Sequence, residues 1–160
     1  MSANHKTLQY EQALRAIGRH LDAEPVYQIS MTEGPDGFVV RSQQSGRGPG
    51  TRSIEFGWDR LNDLVILQKA GRGLRKRPPR HAGLWANFPN GHEDYFRALG
   101  HILDAEGASG LKVDEVPEGI AVSYDRRVDG RTERQETTMH RADVEEMLRE
   151  AQSRRDLQTA

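Results

Sequence analysis

The chain has 160 residues, of which 29% are charged and 35% hydrophobic, and its formal net charge is −1. That length allows one domain or two small ones, and two independent halves would each bury too little apolar surface to be more than marginal. Without cysteine there is no disulfide framework and no thiolate metal site, the opening Met1-Ser2-Ala3-Asn4-His5-Lys6 lacks the apolar run of a signal peptide, and no stretch nears the ~20 apolar residues that span a bilayer, so a soluble cytoplasmic protein with no membrane contact is the expectation.

The first predicted helix begins at Tyr10, with Leu14, Ile17 and Leu21 at helical spacing. Gly18 lies in its middle, where glycine costs about 1 kcal/mol relative to alanine, so another element is expected to pass close by. Pro25 stops the helix. Tyr27, Ile29 and Met31 then alternate with Gln28, Ser30 and Thr32, the period of a strand with one buried face. Gly34-Pro35-Asp36-Gly37 places Pro and Gly as a tight turn wants them and leads into Phe38-Val39-Val40. A glycine-rich stretch, residues 45–50, connects to a third strand at 51–56. A second helix follows with Leu61, Leu64 and Val65.

The same order returns. Asn90, with Glu93 three residues on, predicts a capping box ahead of a helix carrying Phe96, Leu99 and Leu103, which Gly107 ends. Leu111 and Val113 alternate with Lys112 and Asp114, and Val116-Pro117-Glu118-Gly119 turns into Ile120-Ala121-Val122. Val128-Asp129-Gly130-Arg131 leads to a strand near 132–139 that is almost wholly polar and therefore expected at a sheet edge. Val144, Met147 and Leu148 mark the last helix.

The return is more than a likeness of pattern. Shifted by 82, residues 10–42 align without gaps on 92–124. The identical pairs are Glu11/Glu93, Arg15/Arg97, Ala16/Ala98, Gly18/Gly100, Leu21/Leu103, Asp22/Asp104, Ala23/Ala105, Glu24/Glu106, Glu33/Glu115, Pro35/Pro117, Gly37/Gly119 and Val40/Val122. Chance at roughly 6% per position would give about 2 such pairs. Beyond Gly48/Gly130 the shift becomes 83, pairing Phe56 with Met139, Leu61 with Val144 and Val65 with Leu148. The expected fold is α+β, a tandem duplication of an α-β-β-β-α unit with antiparallel strands and helices on one face. Residues 1–70 are the first repeat, 71–91 a basic linker, 92–154 the second repeat and 155–160 a tail. The two sheets either join edge to edge into six strands or pack side by side through helices.

Charge separates the repeats. Residues 1–70 balance, the linker carries Arg72, Arg75, Lys76, Arg77 and Arg80 with no acid, and residues 92–150 carry 8 basic against 15 acidic side chains. Five cations on a backbone of Gly and Pro can track phosphates without a folded pocket; equally, they can lie against the acidic second repeat. Trp85 could stack on a base or pin the linker to the body. Arg47 and Arg52 flank a Gly-rich loop that lacks the Lys-Ser/Thr of a phosphate-binding loop. His92-Glu93-Asp94 and His101 with Asp104 put histidine and carboxylate on one helix face, a common surface pattern. Acids at the helix C-termini, Asp22 and Asp104, oppose the helix dipole. No serine nucleophile elbow or dinucleotide fingerprint is present, so no catalytic residue, cofactor, metal or small-molecule ligand is expected.

Helix–strand–strand–strand–helix with a Gly34-Pro35 turn resembles the double-stranded RNA-binding domain, which implies that this turn contacts a groove. The lysine cluster that family carries at its second helix is not matched: Phe56-Gly57-Trp58-Asp59-Arg60 and Met139-His140-Arg141-Ala142-Asp143 stand there. The sequence therefore points to a non-catalytic adaptor, working through a protein partner or homo-oligomer. The alternative is a nucleic-acid-associated protein gripping phosphates with the linker and the Arg-bearing loops.

Overall fold

The hydrophobic spacings become helices and strands in the expected order. In the computed structural model, which describes residues 8–23, 26–44, 51–69, 83–88 and 90–159, helix α1 (Tyr10–Asp22) leads to strands β1 (Val26–Gly34), β2 (Gly37–Gln44) and β3 (Thr51–Gly57) and to helix α2 (Trp58–Lys69). A short 3-10 turn at Gly83–Trp85 precedes α3 (Gly91–Glu106), β4 (Ser109–Val116), β5 (Gly119–Val128), β6 (Arg131–His140) and α4 (Arg141–Thr159). The fold is α+β. Six antiparallel strands form one sheet in the order β3-β2-β1-β4-β5-β6, so the sheets join edge to edge and the polar run in the second half is an edge strand.

Side-chain alternation sends Met31, Phe38, Val40, Ile54 and Phe56 to one face, and Val113, Ile120 and Val122 with them. All four helices contribute to the same hydrophobic cluster, through residues such as Leu14, Leu61, Leu103 and Val144. The opposite face holds Thr32, Arg41, Glu55, Lys112 and Arg134, and is polar. Among the described residues no helix is long and apolar enough to cross a membrane.

A local two-fold relation organises the join. Strands β1 and β4 pair through Ser30↔Asp114, Met31↔Val113 and Thr32↔Lys112. Met31 and Val113 are 82 positions apart, so the axis passes between them. Helices α1 and α3 cross the same axis in antiparallel fashion. A Cβ at Gly18 would lie 2.5 Å from the carbonyl oxygen of His92, and one at Gly100 would lie 2.6 Å from the backbone of Glu11. Glycine is required twice because the helix backbones touch.

The acids at the helix C-termini belong to this contact. Asp104 Oδ1 and Oδ2 accept the backbone N–H groups of Tyr10 (2.8 Å) and Glu11 (3.0 Å). Asp22 does the same for His92 and Glu93, both at 3.0 Å. Each aspartate thus satisfies the orphan donors at the start of the other helix, and the expected opposition to its own dipole is outweighed by capping its neighbour. The predicted Asn90 capping box is corrected accordingly: Asn90 makes no side-chain cap, because Asp22 already holds those donors. Further reciprocal pairs are Arg15–Glu93 at 2.9 Å and Arg97–Glu11 at 3.8 Å. Glu33 accepts the N–H of Leu111 (3.0 Å) and Glu115 that of Ile29 (3.4 Å). Strand β1 is not the uniform alternation expected: its register shifts between Tyr27 and Ser30, with Gln28 at φ 51°. Strand β4 shifts at the matching place, with Gly110 at φ 61°.

Candidate binding cleft and acidic face

The two-fold relation fails at one place near the join, and a cleft opens there. In the first half, Glu33 also accepts the Tyr10 hydroxyl. Burial, and then the Glu33 carboxylate, push that hydroxyl far above its ordinary pKa, so it stays a donor. In the second half the Tyr10 position is His92, and Trp85 enters from the connection to take over the bond. Its Nε1–H donates to Glu115 Oε1 at 2.8 Å, and its ring lies 4.2 Å from the His92 ring. His92 is fully buried, with Nδ1 2.8 Å from Asp22 Oδ1. Burial pulls its pKa down to about 3 against the opposing Glu115 carboxylate. A neutral ring donating from Nδ1 fits that site.

Below this cluster lies a cleft of about 290 Å³ lined by Gln28, Leu84, Glu115, Val116, Pro117, Gly119 and Arg141. It sits at the turn between β4 and β5, capped by the first residue of α4. Arg141 donates its backbone N–H to Glu118 O at 2.9 Å. Its side chain is 53% exposed and reaches Glu145, with Nε 3.4 Å from Oε1. The cleft thus offers one carboxylate, one guanidinium and three apolar walls.

The second feature is the β6 edge. Strand β6 pairs with β5 from Gly119↔His140 to Val128↔Arg131 without a shift, and among the described residues it has no strand on its other side. Ion pairs consume much of the charge around it: Arg126–Glu106, Arg134–Asp125, Arg149–Glu145 and Arg154–Glu150. Glu118, Asp129, Glu133, Glu136, Asp143 and Glu146 have no ion-pair partner among the described residues, against only Arg127 and Arg131 of the bases in this half. Strand β6 itself balances Arg131 and Arg134 against Glu133 and Glu136, and the acids beside it lie in the first turns of α4 and in the neighbouring turns at Glu118 and Asp129.

The sequence-predicted site residues fall elsewhere. Arg72, Arg75, Lys76, Arg77, Arg80 and Arg47 lie outside the described residues. Arg52 is half-buried on β3, level with Ser42 on the helix-covered side, while Arg41 leaves from the polar side; alternation puts these two cations on opposite faces. Trp85 takes the second of its two expected places, packed into the body. It is 1% exposed, closed in by His92, Tyr95 and the Glu115 bond, so its ring faces neither a base nor a partner. Sequence reasoning missed Arg141 and Glu115. The signal that could have found them is the mismatch of Trp58 with Arg141 at a shift of 83. The chain matches no family model, no curated protein and no solved structure.

Proposed function

We propose that the chain is a duplicated αβββα unit acting as a non-catalytic adaptor through protein–protein contacts, and that its docking side is the β6 edge with the start of α4. The partner is a basic, extended polypeptide segment. The observation that carries this reading is a regular ten-residue edge strand running beside the acid-rich first turns of α4. Its outward N–H and C=O groups offer the main-chain pairing that strand addition uses. The charges on both of its faces discourage indiscriminate pairing, and the neighbouring acids Asp143 and Glu146 of α4 favour a cationic strand.

The test is fluorescence anisotropy of the full chain with a labelled lysine-rich peptide and with labelled single- and double-stranded DNA and RNA, at about 50 and 200 mM salt. Peptide binding that weakens with salt, and is lost on Glu133→Lys, Glu136→Lys and Asp143→Lys together, is the expected result. Binding of nucleic acid instead, lost when Arg72, Arg75, Lys76, Arg77 and Arg80 become Ala, would overturn it in favour of a phosphate-gripping linker.

A further inference from the structure

The cleft has a counterpart in the first half, and there the chain itself supplies an occupant. Trp58 and Arg141 hold equivalent places: each opens the second helix of its half, and each donates its backbone N–H to the turn before it, to Asp36 O at 3.1 Å and Glu118 O at 2.9 Å. The Trp58 indole turns inward and is 5% exposed. Its Nε1–H donates to Pro35 O at 3.1 Å, and its ring meets the edge of Phe38 at 5.4 Å. In the second half Pro117 takes the place of Pro35 and Ile120 that of Phe38. No indole is present, because position 141 is an arginine that leans towards Glu145.

We infer that the cleft takes a tryptophan side chain from the partner, filling in trans the place Trp58 fills in cis; this rests on the docking reading above. At about 290 Å³ the cleft is at the small end of the ~300–1,000 Å³ usual for ligand sites, which fits one ring system. Leu84, Val116 and Pro117 give it apolar walls. The Pro117 carbonyl stands free among the described residues to accept the indole N–H, as Pro35 does. The Arg141 guanidinium can close over the ring face, an attraction that grows as water leaves. Glu118 beside the cleft and Asp143 in the first turn of α4 are exposed acids without ion-pair partners among the described residues, placed for cationic residues flanking that tryptophan.

Two labelled peptides separate this inference from the reading it rests on. One has a central tryptophan between lysines, the other alanine at that position. In anisotropy at about 200 mM salt, where exposed charge attraction is screened, the tryptophan peptide is expected to bind the full chain at least about tenfold more tightly, as for a buried aromatic anchor. Replacing its tryptophan with 1-methyltryptophan removes the N–H and should forfeit a large part of that preference. An Arg141→Trp variant fills the cleft with its own indole, so the preference should vanish while the melting temperature holds or rises. Equal binding of the two peptides by the natural chain overturns the tryptophan inference and leaves the acidic docking edge standing. Failure of both to bind overturns both. A preference that survives Arg141→Trp places the tryptophan somewhere other than this cleft.

Discussion

Replacing Gly18 by alanine tests the helix contact by sign as well as size. In an ordinary helix interior the change is favourable by about 1 kcal/mol. Here the new methyl carbon would stand 2.5 Å from the His92 oxygen, 2.7 Å from its carbonyl carbon and 2.8 Å from Glu93 Cα. Carbon contacts settle near ~3.5–4.0 Å, so α1 and α3 must part by about 1 Å, and the obstruction is backbone that no rotamer change can move. Overpacking of this kind costs typically ~1–3 kcal/mol. Parting the helices also stretches the Asp22 and Asp104 caps, each worth about 1 kcal/mol. Set against the propensity gain, the net is about 2–3 kcal/mol destabilising, or about 5–10 °C in melting temperature for a chain of this length. Gly100→Ala, with its closest approach at 2.6 Å, should cost about the same. Urea and thermal unfolding, followed by the emission of buried Trp58 and Trp85 and by circular dichroism, would measure both. A rise in stability for either variant would refute the close approach.

Three further outcomes follow from the same geometry. Asp104→Ala should cost about 1 kcal/mol as a lost cap, and Asp22→Ala more, because Asp22 is buried and also receives His92 Nδ1; matched urea titrations would show the order. His92 binds its proton in the unfolded chain near its ordinary 6.5 but in the folded chain only near 3. The unfolded state therefore takes up more protons between those values, and stability falls as pH drops, by about 2 kcal/mol from pH 7 to pH 5; His92→Gln should flatten that part of the stability profile, and an unchanged slope would contradict it. Gln28 sits at φ 51° where the other half has Gly110, so Gln28→Gly should raise stability by up to about 1 kcal/mol, read as a higher urea midpoint at unchanged slope.

The order of elements was legible because each carries its own period: Leu14, Ile17 and Leu21 on a helix, Leu111 and Val113 on a strand. The close pass at Gly18 and Gly100 was legible too, since a helix tolerates mid-span glycine in both halves only for a reason. What Asp22 and Asp104 do was not. A cap is read locally, from the residue just ahead of a helix, and these aspartates cap helices some 70 and 94 positions away in the chain. The packing of Trp85 onto the body was one of two readings, but its partner Glu115 was hidden, because nothing in the local sequence joins a tryptophan to a carboxylate 30 positions on. The cleft had a trace, Arg141 where the shift demands an equivalent of Trp58, but a single mismatch acquires meaning only once the indole beside Pro35 is seen.

The recurring residues can be separated from function by a stronger experiment on the second half alone. Its own residues suffice to remake the join. Two copies of residues 83–159 related by a true two-fold axis would set Val113 against Val113, where Met31 now stands. Lys112 would meet Asp114 in both directions, in place of Ser30 and Thr32. Asp104 would cap the α3 of its neighbour, Arg97 would reach Glu93 as Arg15 now does, and Glu115 would accept the N–H of Leu111 as Glu33 now does. Gly100 would meet the start of the other α3, the close pass that Gly18 makes now. Expressed by itself, this segment should be a folded dimer by light scattering, with unfolding that shifts to higher urea as protein concentration rises. Gly100→Ala should return it to unfolded monomer. A segment that folds as a monomer at every concentration would show that Asp104, Gly100 and Glu115 recur for something other than the join. If the dimer forms, the residues the halves share are occupied with holding them together, and the binding chemistry lies where they differ at the surface: Arg141 against Trp58, and the acids at the start of α4.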